Sequence, residues 1–575
     1  MTDNPVLGVN FGTHDAAAAL VANGRVLAAA EEERFTRVKH TKQFPHQAAR
    51  WCLNHAGVDP DDLAAIALFV DPRRQLLLPV VNTRYAFPTS LGSLVSDIDK
   101  YRKRRRLPGE IRRSGLAPDH VPIRPVAHHL AHAASAYLVS PFDDATVVTI
   151  DGRGEYETAC VFEGRDGHLL RRHAITYPHS IGYLYSMVTR FLGFRPQRDE
   201  YKVMGLAAYG SAVMADQVGR LASLDPASGK LRLNLAYFDH HRSPSGKRCL
   251  FSPLLVELLG PPRSPSDDIT ARHRDIAYAT QRLTERLVLG YLRFARRLVG
   301  SHNLCLAGGV ALNAVANAAV IACGEFDQAF IQPAAGDAGT SIGAALVVER
   351  DSQRNYPRAS QEHTFLGSDI DECDVRRCLD ELPACYQVHQ LTRPHERAAE
   401  LLHEDKIIGW CRGPMEFGPR ALGHRSILAA PSRSEAVHRL NADIKGREDF
   451  RPLAPAVLAE DAHEYFDVQP AGRDVYPYML ATAAVRDLHR HRIPAVVHVD
   501  GSARVQTVRR ISNGDFWSLI ACYRARSGLP IVLNTSLNHS DEPIVRTPSD
   551  AVRTFLRCQL DALVLADYVI ERHSA

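Results

Sequence analysis

A chain of 575 residues exceeds what one hydrophobic core can serve, so two large domains or three small ones are expected. Hydrophobic residues at 45% and charged residues at 23% argue against long disorder, and 69 basic against 65 acidic residues leave only +4, too little for a dedicated nucleic-acid binder. The 11 cysteines include no CxxC pair, so neither a disulfide framework nor a thiolate zinc site is signalled and a reducing, cytoplasmic setting fits. No basic stretch leads into an apolar run near Met1, and no apolar segment approaches the roughly 20 residues a bilayer span needs, so no membrane association is expected.

In chain order, Val6 to Asn10 and Ala16 to Ala22 are apolar runs that predict strands, and Asn23-Gly24 predicts a hairpin turn into Arg25 to Ala30. The stretch Leu76 to Leu116 follows no repeat and holds Arg102-Lys103-Arg104-Arg105-Arg106, a charge run that reads as a solvated helix face or an anionic contact. A helix is predicted from His128-His129-Leu130-Ala131-His132 through Ala136. Thr146 to Ile150 predicts a strand ending in Asp151-Gly152-Arg153-Gly154, followed by Thr158 to Phe162 and a turn at Arg165-Asp166-Gly167. Strand, polar glycine loop, strand and turn therefore occur twice, as a weak internal repeat. Each loop places N–H groups and an acidic side chain at a sheet edge, suited to a phosphate or its metal. Leu304 to Gly309 is a third glycine signal, and Gly336-Asp337-Ala338-Gly339 opens a helix over Thr340 to Arg350. The polar stretch Asp351 to Gln361 reads as a linker, which predicts domains over 1–355 and 356–575. In the second, the strands Ile407 to Cys411 and Ile531 to Leu533 flank an arginine-dense stretch.

His128 and His132 lie four apart, so on a helix both imidazoles leave one face and can share a metal at about 2.1 Å. Two ligands are not a site; Asp151 and Asp337, at predicted strand and helix ends, are the candidates to complete it. His129 stands where the zinc-protease HExxH pattern needs glutamate, which excludes that reading.

These residues resemble a known family. His128 to Ala136, Val148-Thr149-Ile150-Asp151-Gly152, Lys202 to Ala207, Ala307-Gly308-Gly309-Val310-Ala311-Leu312-Asn313 and Gly418-Pro419-Arg420-Ala421-Leu422-Gly423-His424-Arg425-Ser426 look, in this order, like the NodU/CmcH family of O-carbamoyltransferases. The match runs from residue 5 to about 570. Ala208 departs from it, where many members carry proline, which bears on the loop after Lys202 more than on chemistry. The resemblance implies an α/β protein with two parts. The N-terminal part would be a duplicated actin/hexokinase-like (ASKHA) domain, and the C-terminal part a YrdC-like domain that forms adenylates.

The resemblance further implies that ATP, with Mg, and carbamoyl phosphate yield carbamoyl adenylate in the C-terminal domain. Arg420, Arg425, Lys445, Arg451 and Arg504 are the cations suited to hold the anionic groups, with Asn534 and Ser536 orienting the carbamoyl amide or a phosphate. Alternatively, these arginines only bridge Glu416, Asp443 or Asp449 on the surface. In the N-terminal domain the adenylate would bind near Gly308, Gly309 and Asn313, with Lys202 on its phosphate or paired on a helix face. The metal ligands implied are His128, His132 and Asp337, with Asp151 beside the phosphate or as a further ligand, and the ion implied is iron(II); imidazole and carboxylate also suit zinc or manganese. His14, next to Asp15, is the candidate base for the acceptor hydroxyl, against a loop histidine that only packs. Lys39-His40 after Glu31 to Phe35 also resembles the family, or is a solvated charge cluster.

Three rivals remain open: a kinase or phosphotransferase on the same ATPase scaffold, a tRNA threonylcarbamoyl-modification enzyme, and a nucleotide-binding regulatory protein. The kinase leaves the second domain unexplained, and near-neutral charge disfavours a nucleic-acid partner. The acceptor is expected to be a small-molecule hydroxyl compound met by residues 72–125 and 170–250, including Tyr237 to His241. A homodimer is compatible with the sequence.

Overall fold

The structure, a computed structural model, describes residues 5–86, 91–242, 250–353 and 356–572, apart from the side chains of 83–86 and 91–96. Residues 87–90 and 243–249 of the expected acceptor segments, and 354–355 of the expected linker, lie outside these. The chain divides into two compact units, Met1–Leu27 with Lys42–Gln361, and Ala28–Thr41 with Glu362–Ala575.

In the first unit the run Val6–Asn10 forms β1, buried throughout. Asn23 and Gly24, with φ of 53° and 69°, join β2 (Ala17–Ala22) to β3 (Arg25–Glu31), as a two-residue hairpin requires. β4 (Ala65–Leu68) and β5 (Ile123–Pro125) add in parallel, giving the order β3-β2-β1-β4-β5. The second copy uses the same design. β6 (Asp144–Ile150), β7 (Glu157–Arg165) and β8 (His168–Thr176) form an antiparallel meander whose last turn, Asp166-Gly167, has φ of 49° and 76°. After a small hairpin of β9 (Ala222–Asp225) and β10 (Lys230–Leu233), β11 (Asn303–Ala307) and β12 (Gln328–Ile331) add in parallel, so the order is β12-β11-β6-β7-β8. Two sheets with one strand order and one mix of directions make the duplicated α/β architecture expected of an actin/hexokinase-like domain.

Small residues bring the site-bearing elements together. A Cβ on Gly8 of β1 would lie 1.9 Å from the Ser341 carbonyl oxygen, and one on Gly343 would lie 1.8 Å from that of Ala131. The helix Thr340–Asp351 is therefore pressed backbone to backbone on β1 and on the helix His128–Tyr137. No other side chain would allow either approach.

The second unit is built on an eight-stranded mixed sheet. Its order is Tyr386–Gln390, Tyr568–Arg572, Ala562–Leu565, Ile408–Cys411, Arg425–Ala429, Ile531–Ser536, Ala454–Leu458 and Gln506–Val508. Residues 28–41 belong here because their polar groups are satisfied here. The Ala29 N–H donates to the Leu366 carbonyl at 3.0 Å, and Arg37 donates to Ile544 and Pro543 carbonyls at 2.7 and 2.9 Å. The division falls after Gln361, not near 355, because the expected linker is fastened to the first unit. Arg358 donates to the carbonyls of Tyr137 and Ser140 at 3.0 and 3.1 Å, and the Gln361 N–H to Val139 at 2.8 Å. No helix among the described residues is long and apolar enough to cross a membrane.

Candidate functional site

In the first unit the structure gathers His128, His132, Asp151 and Asp337, each with one ligand atom within 4.8 Å of all the others. The two histidines sit one turn apart on the helix His128–Tyr137, with their Nε2 atoms 3.1 Å from each other. Asp151 directly follows β6 and brings Oδ2 to 3.2 Å from His128 Nε2; Asp337, just before the helix Thr340–Asp351, places Oδ1 3.7 Å from both Nε2 atoms. Two imidazoles at this separation carry a net attraction only if a proton or a cation lies among them. Burial opposes charge on His128, yet Asp151 and Asp337 outweigh it and raise its pKa. His128 and His132 outweigh burial to lower Asp151, and His14, then His132 and His128, do the same for Asp337. His129 stands apart: it is bonded to Thr149 Oγ1 at 2.8 Å and to the Glu157 carbonyl at 3.1 Å, and burial with His128 nearby lowers it to about 3. It is a neutral packing histidine.

His14 and Asp15 lie at the same place. His14 Nδ1 is 2.8 Å from Asp15 Oδ2, its Nε2 is 3.9 Å from Asp337 Oδ2, and Thr13 Oγ1 donates to that oxygen at 2.9 Å. Burial works against charge on His14, but Asp337, Asp15 and Asp151 outweigh it and push the pKa up to about 10. With these acids unneutralised His14 is therefore a proton donor at neutral pH, and the expected base role requires a cation among them.

Gly308 and Gly309 follow β11 at the same loop. Gly308 has φ of 95° and a Cβ there would lie 2.3 Å from the Ile150 carbonyl oxygen, while the Gly309 N–H donates to Asp151 Oδ1 at 3.0 Å. Asn313 is engaged structurally: its Oδ1 accepts the Ala316 N–H at 3.0 Å and its amide pairs with Gln281. Lys202 lies 3.6 Å from Asp199 and over the Phe194 ring.

In the second unit, Arg420 and Arg504 are joined by Arg447, which the sequence reading passed over. Burial first, then the like charges of Arg420 and Arg447, lowers Arg504 well below the usual guanidine range. Its Nε is buried without a hydrogen bond, and among the described residues no carboxylate pairs with it. Lys445 is buried and donates to Ser536 Oγ at 3.2 Å and to Asn538 at 3.0 Å; burial first, then Arg447, Lys39 and Arg451, lowers it. Arg451 pairs with Glu448 at 2.8 Å, and Asn534 donates to Gln506 Oε1 at 2.8 Å. Arg425 is tied to backbone. It is 0% exposed and donates to the carbonyls of Gly413, His424, Arg412 and Ser368 at 2.8–3.3 Å, a tie that holds the loop, while its Nε is buried without a hydrogen bond. Glu416 folds that loop by accepting the N–H groups of Leu422 and His424 at 2.7 and 2.9 Å.

Family models for the carbamoyltransferase N-terminus and C-terminus match residues 5–346 and 399–572. The chain belongs to the carbamoyltransferase family. It is 36% identical to the nodulation protein NolNO of Sinorhizobium fredii over 98% of this chain and 80% of that one. It is 29% identical to a 3'-hydroxymethylcephem-O-carbamoyltransferase of Amycolatopsis lactamdurans over 74% and 76%. Among solved structures, component A of the (R)-2-hydroxyglutaryl-CoA dehydratase of Acidaminococcus fermentans is similar at a TM-score of 0.35 and 14% identity, covering 61% of this chain and 99% of that one. Likeness at that level assigns no residue a role.

One positioning residue of this carbamoyltransferase gave no sequence signal beyond following a glycine loop. Glu155 is 0% exposed, and its carboxylate accepts the His128 N–H at 3.1 and 3.3 Å and the Asp71 N–H at 2.9 Å. It thereby anchors the first turn of the helix that carries both histidines, where a negative charge is also favoured by the helix dipole. Glu155→Ala is expected to lose about 1–3 kcal/mol of stability, read by urea unfolding, because the His128 N–H is left buried without its acceptor. Metal affinity in a titration should fall about tenfold or more as His128 loosens. Unchanged values in both would remove the role.

Proposed function

We propose that this chain is an ATP-dependent O-carbamoyltransferase that works through carbamoyl adenylate, with each half-reaction in one unit. In the second unit water hydrolyses carbamoyl phosphate to carbamate and phosphate, and the carbamate oxygen attacks the α-phosphorus of Mg-bound ATP so that pyrophosphate leaves. Arg420, Arg447 and Arg504 hold the triphosphate, while Lys445, Arg451, Asn534 and Ser536 shape the floor around it. Family membership supports carbamoyl transfer; the observation that carries the adenylation step is the group of three guanidinium groups, of which Arg504 has no carboxylate partner among the described residues. Buried like charges are destabilising until an anion offsets them.

In the first unit His128, His132, Asp151 and Asp337 fit a divalent cation, since two imidazoles and two carboxylates already face one point. The resemblance points to iron(II). Such an ion would supply a Lewis acid on the adenylate phosphate and so help AMP to leave. Gly308 and Gly309 admit the adenylate backbone to backbone. His14, relieved of Asp337 and Asp151 once they are ligands and oriented by Asp15, takes the proton of the acceptor hydroxyl as its oxygen attacks the carbamoyl carbon.

The test is product analysis with the full chain. ATP, labelled carbamoyl phosphate and a divalent metal should give pyrophosphate, phosphate and AMP, with the label in a carbamate ester once a competent acceptor is present. ADP as the nucleotide product would favour a kinase, and label that never leaves carbamoyl phosphate would sink the donor.

A further inference from the structure

Beside the metal-ligand cluster lie two guanidinium groups that the chemistry above does not use. Arg153 leaves the loop after Asp151, lies 5.1 Å over the Tyr177 ring, and has its Nε buried without a hydrogen bond. Arg104, from the helix Leu91–Arg113, turns away from the exposed Arg102, Lys103, Arg105 and Arg106 and brings Nη1 to 3.5 Å from the Gly154 carbonyl oxygen. Neither makes an ion pair among the described residues. The nearby acids are engaged elsewhere: Glu155 by two N–H groups, Asp97 by Lys100 at 3.5 Å and by Asn82. Arg153 acts on both cations beside it, while against burial Tyr183, Tyr177 and Asp97 raise Arg153 itself. Burial, with Arg153 close by, lowers Arg104 despite Glu155, and burial followed by Arg153 lowers Lys100 to about 8.

Their position is close to the reacting groups. A Cβ at Gly154 would lie 3.0 Å from the His128 ring, so an anion on Arg104 and Arg153 would sit one residue from a metal ligand. We propose that the acceptor carries an acidic group, carboxylate or phosphate, which Arg104 and Arg153 hold while its hydroxyl faces His14.

The inference rests on the carbamoyl-transfer reading, and two observations favour the acceptor over the adenylate as the source of the anion. The adenylate has a single phosphate, and the cation site with Gly308 and Gly309 already receives it. Arg104 stands on a helix outside both duplicated sheets, and Arg153 points to an aromatic wall where Tyr183 stacks on His240 at 4.8 Å, beside Tyr177. Arg104, Tyr177, Tyr183 and His240 fall in the segments 72–125 and 170–250 but outside the strands of both sheets. Flat aromatic faces beside a fork of guanidinium donors suit a cyclic hydroxy acid or a sugar phosphate.

Calorimetry on the metal-loaded full chain tests this with matched pairs: shikimate and its methyl ester, galacturonate and its methyl ester, glucose 6-phosphate and glucose. At least one acid should bind about tenfold or more tightly than its neutral partner, and Arg153→Gln and Arg104→Gln should each remove about tenfold of that preference. Arg153→Lys, which keeps the charge, should retain part of it, which separates lost binding from a misfolded variant. No acid outbinding its neutral partner, or a preference that survives both glutamine variants, overturns the proposal. If Arg153→Gln instead cuts the preference for AMP over adenosine, the guanidinium serves the adenylate and the proposal also falls. Carbamoyl-phosphate-dependent pyrophosphate release in the same preparation reports on the parent reading separately.

Discussion

Arg504→Ala is expected to lower carbamoyl-phosphate-dependent pyrophosphate release by about a hundredfold or more, while chemically supplied carbamoyl adenylate still reaches the acceptor. A donor aimed at charge that develops in the transition state is worth about that factor in a site shielded from water. Arg504 meets the condition: it is flanked by Arg420 and Arg447, and its Nε is buried without a hydrogen bond. The same geometry predicts an opposite sign for stability. In the substrate-free protein this arginine is held against burial and like-charge repulsion, so Arg504→Met should melt at a higher temperature than the parent while losing adenylation. Arg420→Ala should share the loss of adenylation. A melting temperature that falls with Arg504→Met, with pyrophosphate release intact, would mark the cluster as a structural tie to carbonyl groups, as Arg425 is.

What the sequence revealed follows from how locally each feature is encoded. The strand runs at Val6 and Thr146, the turns at Asn23-Gly24 and Asp166-Gly167, and the pair His128 and His132 depend on periodicity and turn chemistry that a few residues carry alone. Asp151 and Asp337 were legible because glycine-flanked acids at strand and helix ends point into clefts. The backbone ties of Arg425 were hidden because their acceptors, the Gly413 and Ser368 carbonyls, come from distant loops that no spacing rule brings to it. Arg447 and Glu155 were missed for the same reason, since one matters through Arg504 and the other through the N–H of His128. The basic run at 102–106 did read as a solvated helix face, and four of its five members are exposed. Only the fold could single out Arg104. The excursion of residues 28–41 to the second unit was equally hidden: a strand that continues past Leu27 looks uniform in composition, and the carbonyls that satisfy it lie hundreds of positions away.

His132→Ala should reduce bound divalent metal from about one ion per chain to near zero and abolish transfer from supplied adenylate, while pyrophosphate release persists. His132 is fully buried and its Nε2 lies at the centre of the cluster, 3.1 Å from His128 Nε2 and 3.7 Å from Asp337 Oδ1, so its loss leaves a single imidazole with two carboxylates and space for water. Metal binding must also displace a proton. The acids around His128 outweigh burial and raise its pKa above the ordinary 6.5, so protons compete with the ion up to and beyond that value, and affinity should rise with pH through and above neutrality in the parent. In His14→Ala the metal should stay while transfer falls by about a hundredfold or more, which corresponds to roughly 2.7 kcal/mol of lost transition-state stabilisation. Elemental analysis on purified chain, read beside both half-reactions, separates the cases. A His132→Ala protein as metal-loaded as the parent would discard the ligand set. If His132→Ala and Arg504→Ala, both folded, each lose both half-reactions, then one composite centre carries all the chemistry and the assignment of one step to each unit is wrong.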